Sequence, residues 1–334
     1  MSDLYIYSRI QANGVRVVTD HLEEACQRAG ISCRQVRTLD NVPKDALVVA
    51  YGVKENVEQM HKGFRTELAL LVDAVSLGFR NKVRFYLKNG YLFHYDFFYS
   101  IYAYLKWRRR EKRVLQAFRQ VMLVSQTDIN YLKQLAPKAK CRYLLVQNGA
   151  NLPDSPYSHN PANHFRLGLL ASWGNPVTYA ESAWFVEKWF SRYAESHPET
   201  FLYLAGRGPF IERLQGRKNV VVLGEVPDLA DFFSNIDLFL VVNPKGCGVL
   251  NRALDAFAYQ VPVAALPASM SGFEGAEDCY IPFTDYASFV EAIERGKDLS
   301  MVEEMAGAMK DYLKRCGNWQ ENYTELAATI KNFV

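Results

Sequence analysis

The sequence predicts an α/β protein built from two doubly wound, parallel-sheet domains with a cleft between them. Short, almost continuously apolar runs alternate with longer amphipathic stretches. The alternation breaks once, at a polar segment near mid-chain, and then restarts with the same rhythm. Continuous apolar strands suit a parallel sheet covered on both faces, and strand–helix–strand alternation implies double winding.

In the first half, residues 4–7, 46–51, 67–72, 121–125 and 143–147 read as strands, with helices over 17–28 and 114–120. The segment 148–164, NGANLPDSPYSHNPANH, is nearly empty of aliphatic residues and reads as an interdomain linker. In the second half, strands are expected at 166–171, 201–205, 220–223, 238–243, 261–266 and 279–282. Helices are expected at 180–195, 209–214, 228–234, 251–259 and 287–294. A last helix covers roughly 318–334. The domains expected are 1–155 and 156–316, followed by a C-terminal helix over 317–334.

Composition narrows the function classes. With 334 residues, 49% hydrophobic and 22% charged, the chain has the size and make-up of two folded soluble domains. A formal net charge of +3 gives no support to a nucleic-acid binder. The six cysteines, at 26, 33, 141, 247, 279 and 316, form no C-x-x-C pair and no zinc spacing. Reduced thiols in a cytoplasmic protein are the expectation. The start, MSDLYIYSRI, has no basic region leading into an apolar core, so no signal peptide is expected, and no run of about 18 apolar residues spans a bilayer.

Four expected strand ends in the second half carry residues suited to a phosphate-bearing ligand. LAGRGP (204–209) runs a strand into two glycines and a proline that can start a helix; Gly206 lets backbone approach an anion and Arg207 adds a charged donor. VLGEVPD (222–228) ends a strand at Gly224, sets Val226 where backbone can pair with a base edge, and offers Asp228 as a helix cap. NPKGCGVLNRALD (243–255) joins a strong apolar strand to a glycine loop and then a helix. Lys245, Gly246, Cys247, Gly248, Asn251 and Arg252 lie where a diphosphate would sit, and Asp255 can accept two hydrogen bonds from ribose hydroxyls. The fourth, PVAALPASMSGF (262–273), ends a strand in small residues. Each also reads as ordinary loop or cap chemistry; the third is the least ordinary.

The order of these motifs resembles the GT4-like (group 1) glycosyltransferases of the GT-B superfamily. That family runs G-x-G-P, then V-x-x-x-G-x-V-x-D, then a glycine loop, a helix and a P-V-V-A strand. This chain gives GRGP (206–209), 220–228, and 244–264 in the same order. In the first half, QANGV (11–15), Glu111 followed by VMLVSQTD (121–128), and Asn148-Gly149 match the family's glycine loop, its E…V-S-x-x-D segment and its linker opening. The resemblance implies two Rossmann-like domains, a C-terminal helix returning to the first domain, and a sugar transfer from a nucleotide-diphosphate donor, UDP or GDP, with retention. It also implies that Asn13 and Gly14 lie near the donor phosphate or the acceptor. The retaining members carry two glutamates eight positions apart; here Cys247 stands at the first position and Asp255 at the second. ASWGNP (171–176) replaces the family's Arg and Lys, leaving Arg207, Lys245 and Arg252 to neutralise the diphosphate.

No D-x-D occurs in the sequence, so a metal-independent transferase without a cofactor or metal site is expected. Asp73, at the end of an apolar run, is the candidate catalytic or acceptor-binding carboxylate, with a helix cap as the plain alternative. His94 and His21 are weaker candidates. Residues 80–113 hold ten Lys or Arg, two acidic residues and a central aromatic block. That pattern suits an anionic membrane surface, hence a protein peripheral to the inner face of the plasma membrane, a glycan or polyprenyl-linked acceptor, and surface-polysaccharide synthesis. A packed aromatic helix pair with a solvated basic end is the alternative. A sugar-nucleotide epimerase of the same shape and a non-catalytic binding or scaffold protein are the competing functions.

Overall fold

The computed structural model describes residues 3–9, 13–90, 92–93, 95–150, 152–153, 160, 162–174 and 176–333, with the backbone alone for Asn13, Tyr95, Val177 and Glu181. The chain forms two compact units. One comprises Met1–Gly149, Cys247–Val249 and Cys316–Val334; the other comprises Ala150–Gly246 and Leu250–Arg315. Much of the expected linker lies outside the described residues.

The first unit holds a six-stranded, all-parallel sheet of β1 (Leu4–Tyr7), β2 (Cys33–Val36), β3 (Leu47–Tyr51), β4 (Leu68–Val72), β5 (Gln120–Leu123) and β6 (Arg142–Leu145), in the order β2-β1-β3-β4-β5-β6. β3 and β4 are almost wholly buried, which is why their apolar runs carry no polar alternation. β2, CRQV, is an edge strand with two exposed central residues, and no apolar run announced it. On one face the core joins α1 (Asn13–Arg28) to α12 (Trp319–Lys331), through Val18, Leu22, Cys26, Trp319, Tyr323 and Ile330. On the other face lie α2 (Val53–His61), α3 (Val75–Lys88), α4 (Tyr95–Ala117) and α5 (Gln126–Leu135), with Val53, Leu77, Val114 and Leu132 in the core.

The sequence expectation of a helix over 114–120 is corrected. Those residues end the much longer α4, and β5 already begins at Gln120. The basic run 106–113 hides the helix in the sequence. Its inner side is spaced at helical intervals: Phe97, Ser100, Ala103, Glu111, Val114 and Leu115 are all buried. Within this helix pair Lys82 is not a surface base. Its Nζ lies 2.7 Å from Asp96 Oδ2, both side chains are 0% exposed, and Tyr86 donates to the same oxygen at 2.5 Å.

The second unit holds β7 (Phe165–Leu170), β8 (Thr200–Ala205), β9 (Val220–Gly224), β10 (Leu238–Val241), β11 (Val263–Ala265) and β12 (Ile281–Pro282), parallel and in the order β12-β11-β10-β7-β8-β9. The chain winds outward from β7 to β9, returns to lay β10 against the other side of β7, and winds outward again. The helices are α6 (Pro176–Phe185), α7 (Ser191–Ala194), α8 (Leu229–Ser234), α9 (Asn251–Ala258), α10 (Tyr286–Gly296) and α11 (Leu299–Cys316). The stretch expected as one helix over 180–195 contains a π-helical turn, Val186–Phe190, where Ser191 Oγ donates to Val186 O at 2.8 Å. Phe185, Trp189, Phe283 and Phe289 pack edge to face around it. Among the described residues no helix is long and apolar enough to cross a membrane.

Removing one member of a buried ion pair leaves a desolvated charge. Lys82→Ala is therefore expected to cost about 3–5 kcal/mol in urea unfolding, against under 1 kcal/mol for an exposed pair. A loss in the lower range would show that Asp96 reaches water.

Candidate functional site

An all-parallel sheet brings every strand's carboxyl end to one edge, and a crevice opens where the winding reverses. In the second unit that reversal lies between β7 and β10. The expected site residues Gly206, Arg207, Gly224, Val226, Lys245, Gly246, Asn251, Arg252 and Asp255 all follow β8, β9 or β10 and so share this edge.

The glycines after β8 answer first to packing. A Cβ on Gly206 would meet Ala171 O at 1.9 Å, and one on Gly208 would meet Trp173 C at 2.2 Å. The segment after β7 thus passes directly over the loop after β8. It is pinned there by Trp173, which is fully buried, donates Nε1–H to Ala205 O at 2.9 Å and donates its backbone N–H to Arg207 O at 2.9 Å. Gly206 N–H is itself used, donating to Gly224 O at 2.7 Å. The Gly206 amide therefore extends the pairing with β9. The Arg207 side chain is 78% exposed and its guanidinium sits 3.5 Å from Glu225 Oε2, a surface pair of little strength. Asp228 caps α8, accepting from Ala230 N–H at 2.8 Å.

The loop after β10 is built the same way. Asn243 Oδ1 accepts Lys245 N–H at 2.9 Å, Asn243 O accepts Ser269 Oγ–H at 2.5 Å, and a Cβ on Gly246 would meet Ala268 O at 2.0 Å. α9 then starts at Asn251, so Asn251 and Arg252 form its first turn and Asp255 stands one turn on, the same side of the helix. Asp255 is half-buried, and burial alone pushes its carboxyl up to about 7.

The first unit holds the remaining candidates. Cys247 and Gly248 lie beside Asp73: Cys247 Sγ is 3.7 Å from Asp73 Oδ2, and Gly248 N–H donates to Asp128 Oδ2 at 2.7 Å. A Cβ on Gly248 would meet Asp73 Cβ at 2.9 Å. Asp73 does not cap α3, whose cap position is Ala74. Gly14 is exposed in the first turn of α1, beside Asn13, of which only the backbone is described. His21 stacks on Trp319 with ring centroids 4.9 Å apart, a packing role between α1 and α12. Gln11, Ala12 and His94 lie outside the described residues. Among the described residues no group of His, Cys, Asp and Glu is arranged to hold a metal ion.

Sequence reading missed Trp173, whose signal would have been a large aromatic directly after an apolar strand. It also gave Glu111 and Asp128 no role of their own. Arg9 was missed as well. It follows β1 at the first sheet's own reversal, donating Nε–H to Tyr7 OH at 2.6 Å and pairing with Glu58.

Residues 166–296 match the family model described as glycosyl transferases group 1. No curated protein sequence matches the chain. Among solved structures, the trehalose-6-phosphate synthase OtsA superposes with a TM-score of 0.67 at 10% identity over 100% of both chains. Anabaena Alr3699/HepE, in complex with UDP and glucose, gives 0.64 at 12% identity over 99% of this chain and 100% of that one. An α,α-trehalose-phosphate synthase (UDP-forming) from Burkholderia xenovorans, in complex with glucose-6-phosphate, gives 0.61 at 10% identity over 94% of this chain and 77% of that one. The two six-stranded parallel sheets are the GT-B architecture, and within it residues 166–296 are similar to the group 1 glycosyl transferases.

Proposed function

We propose that this glycosyltransferase moves a sugar from a nucleotide-diphosphate donor, UDP- or GDP-linked, onto a glycan or lipid-linked acceptor. The observation that carries the reading is the first turn and a half of α9. Asn251, Arg252 and the desolvated Asp255 carboxyl lie on one side of a helix that starts at the sheet's reversal. A helix start favours phosphate, Arg252 supplies a forked cation, and a water-poor carboxylate is suited to two ribose hydroxyls.

In the transfer, the acceptor oxygen bonds to the anomeric carbon. The bond from that carbon to the diphosphate oxygen breaks, its electron pair leaving on the phosphate. The hydroxyl proton passes to the departing diphosphate, on the face that gives retention. Arg207, Lys245, Arg252 and the α9 N-terminus take up the growing negative charge without a metal ion. Asp73 hydrogen-bonds the acceptor hydroxyl and aims it. Cys247, lacking a carboxylate's charge, leaves this work to those cations.

The outer face of α3 and α4 supports an acceptor held at an anionic membrane surface. Leu87, Phe98, Tyr99, Tyr102 and Leu105 are exposed, Phe93 between the helices is 96% exposed, and Arg84, Lys88, Arg108, Arg109 and Arg113 of the same two helices are exposed as well. A lipid-linked acceptor in surface-polysaccharide synthesis fits that face, at the inner side of the plasma membrane. On vesicles containing a third phosphatidylglycerol, Phe98→Asp with Tyr102→Asp should lower co-sedimentation at least tenfold; equal pelleting of variant and wild type rejects the lipid reading.

Screening UDP-, GDP-, ADP- and CMP-sugars by thermal shift tests the donor assignment, since stabilisation follows occupancy. Arg252→Ala and Asp255→Ala should each remove most of the shift given by the best donor, and an undiminished shift in both refutes the site.

The raised Asp255 acid also sets a pH dependence. Its folded value, about 7, exceeds the unfolded value of about 4, so the folded state holds the extra proton between them. Asp255 thus subtracts stability as pH rises from about 4 to 7, while the ionised form that ribose needs accumulates. Donor affinity should rise about tenfold between pH 6 and pH 8, following the ionised fraction. Asp255→Asn should abolish that rise and melt later than wild type at pH 8 but not at pH 4. A pH-independent difference in melting contradicts the assignment.

A further inference from the structure

The turn that presents Asp73 hands backbone amides to side chains of other elements. β4 ends at Val72, whose φ of 68° is one that a β-branched residue rarely adopts. Asp73 N–H donates to Leu71 O at 2.8 Å, closing a three-residue turn around Val72, and the pairing with β5 shifts register between Leu70 and Val72. α3 begins at once behind it, with Ala74 at the cap position and no side-chain cap. Such a conformation persists only where its surroundings over-determine it.

Two carboxyl groups from neighbouring helices do so. Glu111 of α4, fully buried, accepts Ser76 N–H on Oε1 at 2.9 Å and the Ser76 hydroxyl on Oε2. Asp128 of α5, fully buried, accepts the Ala74 N–H and, on Oδ2, Ser125 Oγ–H at 2.7 Å and Gly248 N–H at 2.7 Å. The Ala74 and Ser76 amides, within three residues of Asp73 on its helical side, are thereby taken by acids that belong to other elements. We propose that Glu111 and Asp128 are positioning residues for the transfer, clamping the β4–α3 turn so that the Asp73 carboxylate is held at one angle to the acceptor hydroxyl. This rests on the assignment of Asp73 to the acceptor.

The electrostatics of the clamp fit neutral acids. Burial pushes Glu111 up to about 8 and Asp128 to about 7, and the Asp73 charge adds to both. The other polar groups around them are Ser76, Ser125, the Tyr131 hydroxyl, 2.8 Å from Ser76 Oγ, the Arg80 guanidinium stacked on the Tyr131 ring at 4.7 Å, and the Cys247 thiol. A protonated carboxyl still accepts amide N–H bonds through its carbonyl oxygen. It adds no second negative charge beside Asp73. Glutamine and asparagine are therefore faithful replacements, and alanine is not.

The test sets Glu111→Ala, Asp128→Ala, Glu111→Gln, Asp128→Asn and Asp73→Ala against wild type. Transfer is assayed from UDP-glucose or GDP-mannose to a synthetic polyprenyl-diphosphate-linked monosaccharide, alongside amide hydrogen exchange of residues 73–77. The alanine variants should exchange at least tenfold faster there and lose about 30-fold or more in kcat, with the donor-induced thermal shift unchanged. Glu111→Gln and Asp128→Asn should stay within about threefold. Wild-type kcat should fall above about pH 7 as Asp128 and then Glu111 ionise, and Glu111→Gln should flatten the upper part of that limb.

Alanine variants with wild-type exchange, or with wild-type kcat while Asp73→Ala is inactive, overturn the clamp. An active Asp73→Ala overturns the acceptor assignment instead. If the alanine variants do not fold, the amide isosteres decide. A 30-fold loss in either, or an alkaline limb unchanged in Glu111→Gln, overturns the clamp.

Discussion

Parallel strands leave the chain no choice about where it turns: each must deliver its carboxyl end to the same edge as its neighbours, and only the winding order decides where that edge gapes. In the second unit the outward walk from β7 to β9 and the return to β10 fix that gap between β7 and β10. Everything the donor reading needs follows from this. The apolar strands must be buried on both faces to be parallel, so polar chemistry is confined to the loops at their ends. The small residues there exist because loops cross in two pairs within contact distance: Gly206 under Ala171 and Gly208 under Trp173, then Gly246 under Ala268.

Desolvation is the second physical thread. Asp255, Glu111 and Asp128 are each acids shifted upward chiefly by burial. Folded proteins keep such groups at a cost to stability, and that cost is usually found where a site needs a carboxyl in a water-poor setting. Asp255 stands one turn into α9 with no side-chain or backbone partner behind its shift, whereas Glu111 and Asp128 are already occupied by the amides of a strained turn. The same chemistry thus divides between binding and scaffolding.

Periodicity and motif order made much of this legible in the sequence. The near-continuous runs at β3, β4, β7, β8 and β10 announced parallel strands, and the order GRGP, VLGEVPD, NPKGCGVLNRALD placed the strand-end residues on one edge. What escaped shares a physical cause. β2 is an edge strand with polar outer residues, so it has no apolar signature. α4 buries Glu111 and pairs Asp96 with the buried Lys82, so its inner face carries charges that read as surface in one dimension. The role of Gly206 depends on Ala171, 35 residues earlier in the chain, and the strain at Val72 is invisible in its side chain.

The central claim is that a nucleotide diphosphate is held at the strand ends of the second unit by the start of α9. Amide hydrogen exchange of the full chain, with and without saturating UDP-glucose or GDP-mannose, tests it most directly. The account predicts slowed exchange concentrated at residues 207–208 and 245–255, with the other strand-end loops little changed. Protection absent from 245–255 with a donor that measurably binds would contradict it.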